Sequence, residues 1–154
     1  MAKAREGARD QARHHLLGNA TRRLREGVVR YEHEPADEQI RDRLIQRFEF
    51  TYELSHKMIR QYLKEATASP DEIDRLTFAH LIRTANVGGL LRGDWPAWRR
   101  FREMCARASH TYDAGVALQV AAAIPEFLEA AEHPTANCSG AWHDQTLARR
   151  SAGG

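Results

Sequence analysis

At 154 residues, with 29% charged side chains and a net charge of only +2, the chain is long enough to bury one core without staples, and too evenly charged for charge alone to argue a nucleic-acid partner. Two cysteines, Cys105 and Cys138, exclude a disulfide framework and a cysteine metal site. The opening residues are charged and no long apolar run follows them, which excludes a secretory signal and a membrane span, so a cytoplasmic location and no membrane partner are expected.

The richness in Ala, Leu, Arg and Glu, with 10 Gly and 5 Pro mostly at the borders of periodic segments, predicts an all-α fold. Of the 23 basic residues only Lys3, Lys57 and Lys64 are lysine. That excess suits phosphate recognition by the guanidinium fork, and it follows equally from a GC-rich genome. Residues 1–11 read as a flexible polar arm. A first helix is expected from Ala12 to Tyr31, with Leu16, Leu17, Ala20, Leu24, Gly27, Val28 and Tyr31 on one face. His14 and His15 diverge by about 100° on a helix and have no further ligand at hand, so they read as exposed histidines and no metal is expected.

The dominant element runs from an Asp37 N-cap to Ala66. Ile40, Leu44, Ile45, Phe48, Thr51, Tyr52, Ser55, Met58, Ile59, Tyr62 and Leu63 share one arc, and Glu53 precedes Lys57 at the spacing of an exposed ion pair. Phe50 and Leu54 sit nearly opposite that arc. A second apolar patch needs a second cover, either another part of the same chain or a subunit interface.

Ser69, Pro70 and Glu72 signal the start of a third helix, expected to carry Ile73, Leu76, Thr77, His80, Leu81 and Thr84 on one face, with His80 inside the apolar stripe. Asp94 is expected to cap a fourth helix whose buried edge is Trp98, Phe101, Cys105 and Ala108. It ends at the polar run Ser109 to Asp113. A fifth helix, from Ala114 to Glu132, is expected to kink or split at Pro125. Residues 134–154 read as a poorly ordered tail anchored only by Trp142 and Leu147, leaving 12–133 as the folded domain. No dinucleotide, phosphate-loop, zinc-helix or nucleophile-elbow motif is present, and no cofactor is expected.

Two segments carry more. Ile45-Gln46-Arg47-Phe48-Glu49-Phe50-Thr51-Tyr52-Glu53-Leu54 with Lys57 and Tyr62-Leu63, and then Ser109-His110-Thr111-Tyr112-Asp113, closely resemble the nucleotidyltransferase substrate-binding family of the HEPN superfamily. With Ser69-Pro70 and the Trp-bearing fourth helix, the resemblance spans roughly Leu16 to Ala131. It implies an antiparallel up-and-down bundle of four to five helices that forms a homodimer, which would bury Phe50 and Leu54 between protomers. It also implies a minimal nucleotidyltransferase as partner, in a toxin–antitoxin pair.

Toxins of this kind resemble one another in a metal-independent ribonuclease motif of Arg, four residues, His, any residue, Tyr. His110 and Tyr112 match it, while Cys105 stands at the arginine position. An imidazole can take the proton of an RNA 2′-hydroxyl, but charge building on the phosphorus oxygens needs a cation or donors, a contribution of about 3 kcal/mol. Cys105 supplies neither, and Arg102 and Arg107 are the candidate replacements. The resemblance further implies AMP transfer from the partner to Tyr112, silencing the toxin. The function expected is therefore that of a nucleotidyltransferase partner. The alternatives are an active ribonuclease acting on RNA through His110 with a relocated arginine, and a non-catalytic dimeric scaffold.

Overall fold

The computed structural model describes residues 2–89, 91 and 95–151, and the side chains of these except 2, 3, 6, 10 and 133–151. Among them the chain forms α1 (Ala2–His33), α2 (Glu38–Ala66), α3 (Pro70–Asp74), α4 (Phe78–Val87), α5 (Trp95–Arg107) and α6 (Ala114–Ser151), with a 3-10 turn at Ala108–His110 leading from α5 towards α6. There is no strand among the described residues, and the fold is an all-α helical bundle as expected.

Helix α2 is the central element and packs on every other helix. It starts where Asp37 Oδ1 accepts the backbone N–H groups of Gln39 and Ile40, at 2.9 and 3.1 Å, satisfying donors that the first turn leaves open. The predicted arc is the buried one: Leu44, Ile45, Phe48, Tyr52, Met58, Ile59 and Leu63 are all in the core. Its buried hydroxyls are satisfied within the helix, Thr51 Oγ1 donating to Arg47 O at 2.7 Å and Ser55 Oγ to Thr51 O at 2.8 Å, so burying them leaves no orphaned group.

Aromatic rings join α2 to α5 and α6. Phe127 of α6 packs on Phe48 at 5.0 Å and Phe101 at 5.4 Å, both edge-on, and lies 6.1 Å from Tyr52 and 6.2 Å from Trp98. Edge-to-face pairs are favoured by the ring quadrupole beyond the area they bury. At the rim, Arg25 pairs with Glu132 and Arg100 with Glu126. These exposed pairs set register more than stability.

Helices α1 and α2 run antiparallel and cross closely at Gly27. A Cβ there would lie 3.2 Å from Leu44 Cδ1 and 3.3 Å from Arg47 Nη1, so only glycine admits this approach without displacing a neighbour. Arg47 Nη1 in turn donates to Arg23 O at 2.7 Å.

Four features depart from or add to the sequence expectation. First, α1 begins at Ala2 and takes in the segment set apart as an arm. Second, the expected third helix is two helices, because Thr77 caps a new one, its Oγ1 accepting the N–H of His80 at 3.3 Å. The break turns His80 out to solvent, while Ile73, Leu81, Ile82 and Ala85 fill the core. Third, Lys64 Nζ meets Asp74 Oδ2 at 2.6 Å and Arg60 Nη1 donates to Ile73 O at 3.0 Å, tying the short α3 back onto α2. Fourth, α6 is a single helical element through Pro125, whose ring lies on the exposed side, so of the kink or split expected there the split does not occur. The segment Ala114–Glu132 is apolar and long enough to cross a membrane by composition, yet Ala117, Val120, Ile124, Phe127, Leu128 and Ala131 line the bundle core, which accounts for its apolarity. Asp94 and the side chains of the expected tail, 134–154, lie outside the described residues.

Candidate functional site

Helix α5 ends by tightening into the 3-10 turn, and His110 is the last residue of that turn. Asp113 N donates to His110 O at 3.2 Å, and Asp113 Oδ1 then accepts the N–H groups of Gly115 and Val116, at 2.8 and 3.2 Å. Asp113 thus closes the turn through its backbone N–H and caps α6 through its carboxylate. The rings of His110 and Tyr112 meet edge-on with centroids 6.0 Å apart. His110 is exposed, and Tyr112 is 88% exposed. The structure therefore brings together the two residues singled out in the sequence and presents both to solvent.

The two arginines are placed differently. Arg107 Nη2 donates to Gln119 Oε1 across to α6 at 2.6 Å, and the Arg102 guanidinium lies over the Phe78 ring at 4.7 Å, a cation–π contact. Neither hydrogen-bonds to His110 or Tyr112. Cys105 is half-buried against the core. Burial, reinforced by the carboxylates of Glu49 and Glu53, pushes its thiol up to about 11, so it is a neutral packing group at physiological pH.

Sequence reading missed a second titratable group beside this one. Glu49, Tyr52, Glu53 and His56 of α2 share the side that faces Arg102 and Cys105 of α5. Their spacing of three and four residues was the available signal, but Glu49 and Glu53 read as solvated charges. Burial, then Glu53, raises the Glu49 carboxyl. Burial also raises the Tyr52 phenol, with Cys105 adding to the shift and Arg102 opposing it.

The His56 ring packs edge-on to Phe78 at 5.2 Å and its Nε2 is buried without a hydrogen-bond partner. Burial, followed by Arg60, Arg102 and Lys57, lowers its pKa from 6.5. The unfolded chain therefore takes up a proton that the folded chain resists, so His56 contributes stability above its unfolded value that is lost as pH falls through the folded one. The urea midpoint should drop on acidification below about 6.5, and His56→Leu should flatten that part of the profile. A variant whose midpoint falls as steeply as that of the parent would show that His56 is not responsible.

Two further surfaces complete the candidates. Phe50 is 56% exposed and Leu54 half-buried on the outer side of α2. Phe50, with Leu16 of α1, forms the apolar part of a cavity of about 480 Å³ between α1 and α2. Among the described residues no three His, Cys, Asp or Glu side chains gather as a metal site.

Residues 12–139 match the family described as nucleotidyltransferase substrate binding protein like. Over 84 residues the chain is 42% identical to a probable ribonuclease HepT of Haemophilus influenzae, an alignment covering 54% of this chain and 57% of that protein. The chain thus spans little more than half the length of this curated relative. The solved structure of HI0074 from Haemophilus influenzae, described as revealing the fold of a substrate binding domain of a nucleotidyltransferase, superposes with a TM-score of 0.75 at 31% identity, over 79% of this chain and 96% of that one. With a family match across most of its length and a solved relative of the same helical architecture, the chain belongs to the nucleotidyltransferase substrate-binding protein family.

Proposed function

We propose that this protein is the HEPN-type partner of a minimal nucleotidyltransferase in a toxin–antitoxin pair, that it works as a homodimer, and that its partner transfers AMP to Tyr112. The observation that carries the proposal is the 88% exposed phenol, held in a capped turn edge-on to an imidazole. In the transfer, Tyr112 Oη bonds to the α-phosphorus of ATP, the bond from that phosphorus to the bridging oxygen breaks, and pyrophosphate leaves. The phenolic proton goes to a base, and the His110 imidazole is beside it to accept one. Family membership supports a nucleotidyltransferase as donor. Incubation with the cognate nucleotidyltransferase and ATP should add the mass of one AMP moiety per chain. An unchanged mass beside a working control substrate would remove Tyr112 as acceptor.

A second reading is favoured by the named relative: a ribonuclease with His110 as base. Its difficulty is physical, since Arg102 and Arg107 are engaged by Phe78 and Gln119 and a misplacement of about 1 Å costs about a hundredfold in rate. Any RNA cleavage by the purified protein should disappear in His110→Ala. Equal cleavage by the two would end the enzymatic reading.

A further inference from the structure

The α1–α2 cavity lies apart from the His110–Tyr112 turn. Phe127, which packs on Phe48 next to Arg47, is thirteen residues along α6 from Ala114, about 20 Å at the helical rise. Four arginines line the cavity, Arg22 and Arg23 from α1 and Arg43 and Arg47 from α2, and no carboxylate does. Arg22, Arg23 and Arg43 are exposed and have no acidic partner among the described residues, whereas Arg25, Arg30, Arg41, Arg99 and Arg100 each have one. Arg47 is held in place by its bond to Arg23 O. Phe50 presents a half-exposed ring to the same space, with Leu16 beside it.

We infer that this groove binds single-stranded RNA, the guanidinium forks taking the phosphodiesters and Phe50 taking a base face. The chemistry fits on both counts. Planar guanidinium groups match phosphate oxygens in geometry and charge, and an aromatic ring inside a basic track is the usual platform for an unpaired base. A second copy of the chain is a poor occupant. Pairing about a two-fold axis sets a patch against itself, which would place one arginine set against another with no acid between them, a costly like-charge contact. Phe50 therefore belongs to the groove and not to subunit pairing.

The test is fluorescence anisotropy of a labelled oligoadenylate RNA with the full chain, in a salt series. Each phosphate neutralised on a single strand contributes about 0.7 to the slope of log affinity against log salt, so Arg22→Gln/Arg43→Gln should flatten that slope by about 1.4. Phe50→Ala should weaken binding about tenfold, and Arg30→Gln, outside the groove, should change nothing. The substituted side chains are exposed, so circular dichroism should report an intact fold. An unaltered slope in the double arginine variant overturns the proposal, as does a Phe50→Ala protein that changes from dimer to monomer in light scattering. If the arginine variant keeps its RNA affinity and loses capture by the nucleotidyltransferase, the groove belongs to a protein surface and the RNA reading fails. RNA affinity and AMP addition are separate readouts, so the groove and the AMP acceptor stand or fall separately.

Discussion

Phe127→Ala should destabilise the protein by about 3–5 kcal/mol, the upper range for a single core truncation. The side chain is fully buried at the meeting point of α2, α5 and α6, with four aromatic rings within 6.2 Å of its centroid. Two contributions add: the apolar transfer energy of the ring, and a cavity that Phe48 and Phe101 cannot close without leaving their edge-on geometry. Since a domain of this size is stable by only about 5–15 kcal/mol, the variant should lie near the limit of folding at physiological temperature. Phe127→Leu, which retains most of the volume, should cost clearly less. Urea denaturation of both would decide it. Equal midpoints for Phe127→Ala and the parent would mean that the aromatic cluster does not hold the three helices together.

Tyr112→Phe should abolish AMP addition completely while leaving the denaturation midpoint within about 0.5 kcal/mol of the parent. The two halves of the prediction have separate causes. Removing Oη removes the only atom to which the α-phosphorus can bond on that side chain, so the expected effect on transfer is total. The ring is 88% exposed and meets the His110 ring edge-on, so little packing is lost. Mass spectrometry after incubation with the nucleotidyltransferase and ATP gives the first result, and urea denaturation the second. Undiminished mass addition to Tyr112→Phe would move the acceptor elsewhere. A large fall in stability would mean that the hydroxyl had a structural partner, and the reading of Tyr112 as a displayed group would fail.

What the sequence revealed and what it hid follow from the range of the forces involved. The arc from Leu44 to Leu63, the Asp37 cap and the Trp98–Phe101 edge were readable because helical periodicity and caps are local. The turn carrying His110 and Tyr112 was readable for the same reason, since Asp113 acts on residues two and three positions ahead. The split between α3 and α4 was not. Thr77 fits an apolar face and a cap equally well, and only the bond to His80 N selects the second.

Groupings across helices were harder still. Glu49, Glu53 and His56 look like solvated charges until α5 brings Arg102 and Cys105 against them. Arg22, Arg23, Arg43 and Arg47 belong to two helices, each with an ordinary polar face. Which faces meet is decided by packing of the whole bundle, about which a charged residue's own neighbourhood carries no signal.

The crossing at Gly27 also bears on mobility. There the α1 main chain lies directly against the Leu44 and Arg47 side chains, with no side chain of its own between, which leaves little compliance to absorb a shift. The cavity walls at Arg23, one turn away, and at Arg47, in the crossing itself, are thus fastened to a stiff joint. Whatever enters between them should find the opening already set, and its arrival should be governed by diffusion and charge attraction rather than by a preceding change of shape.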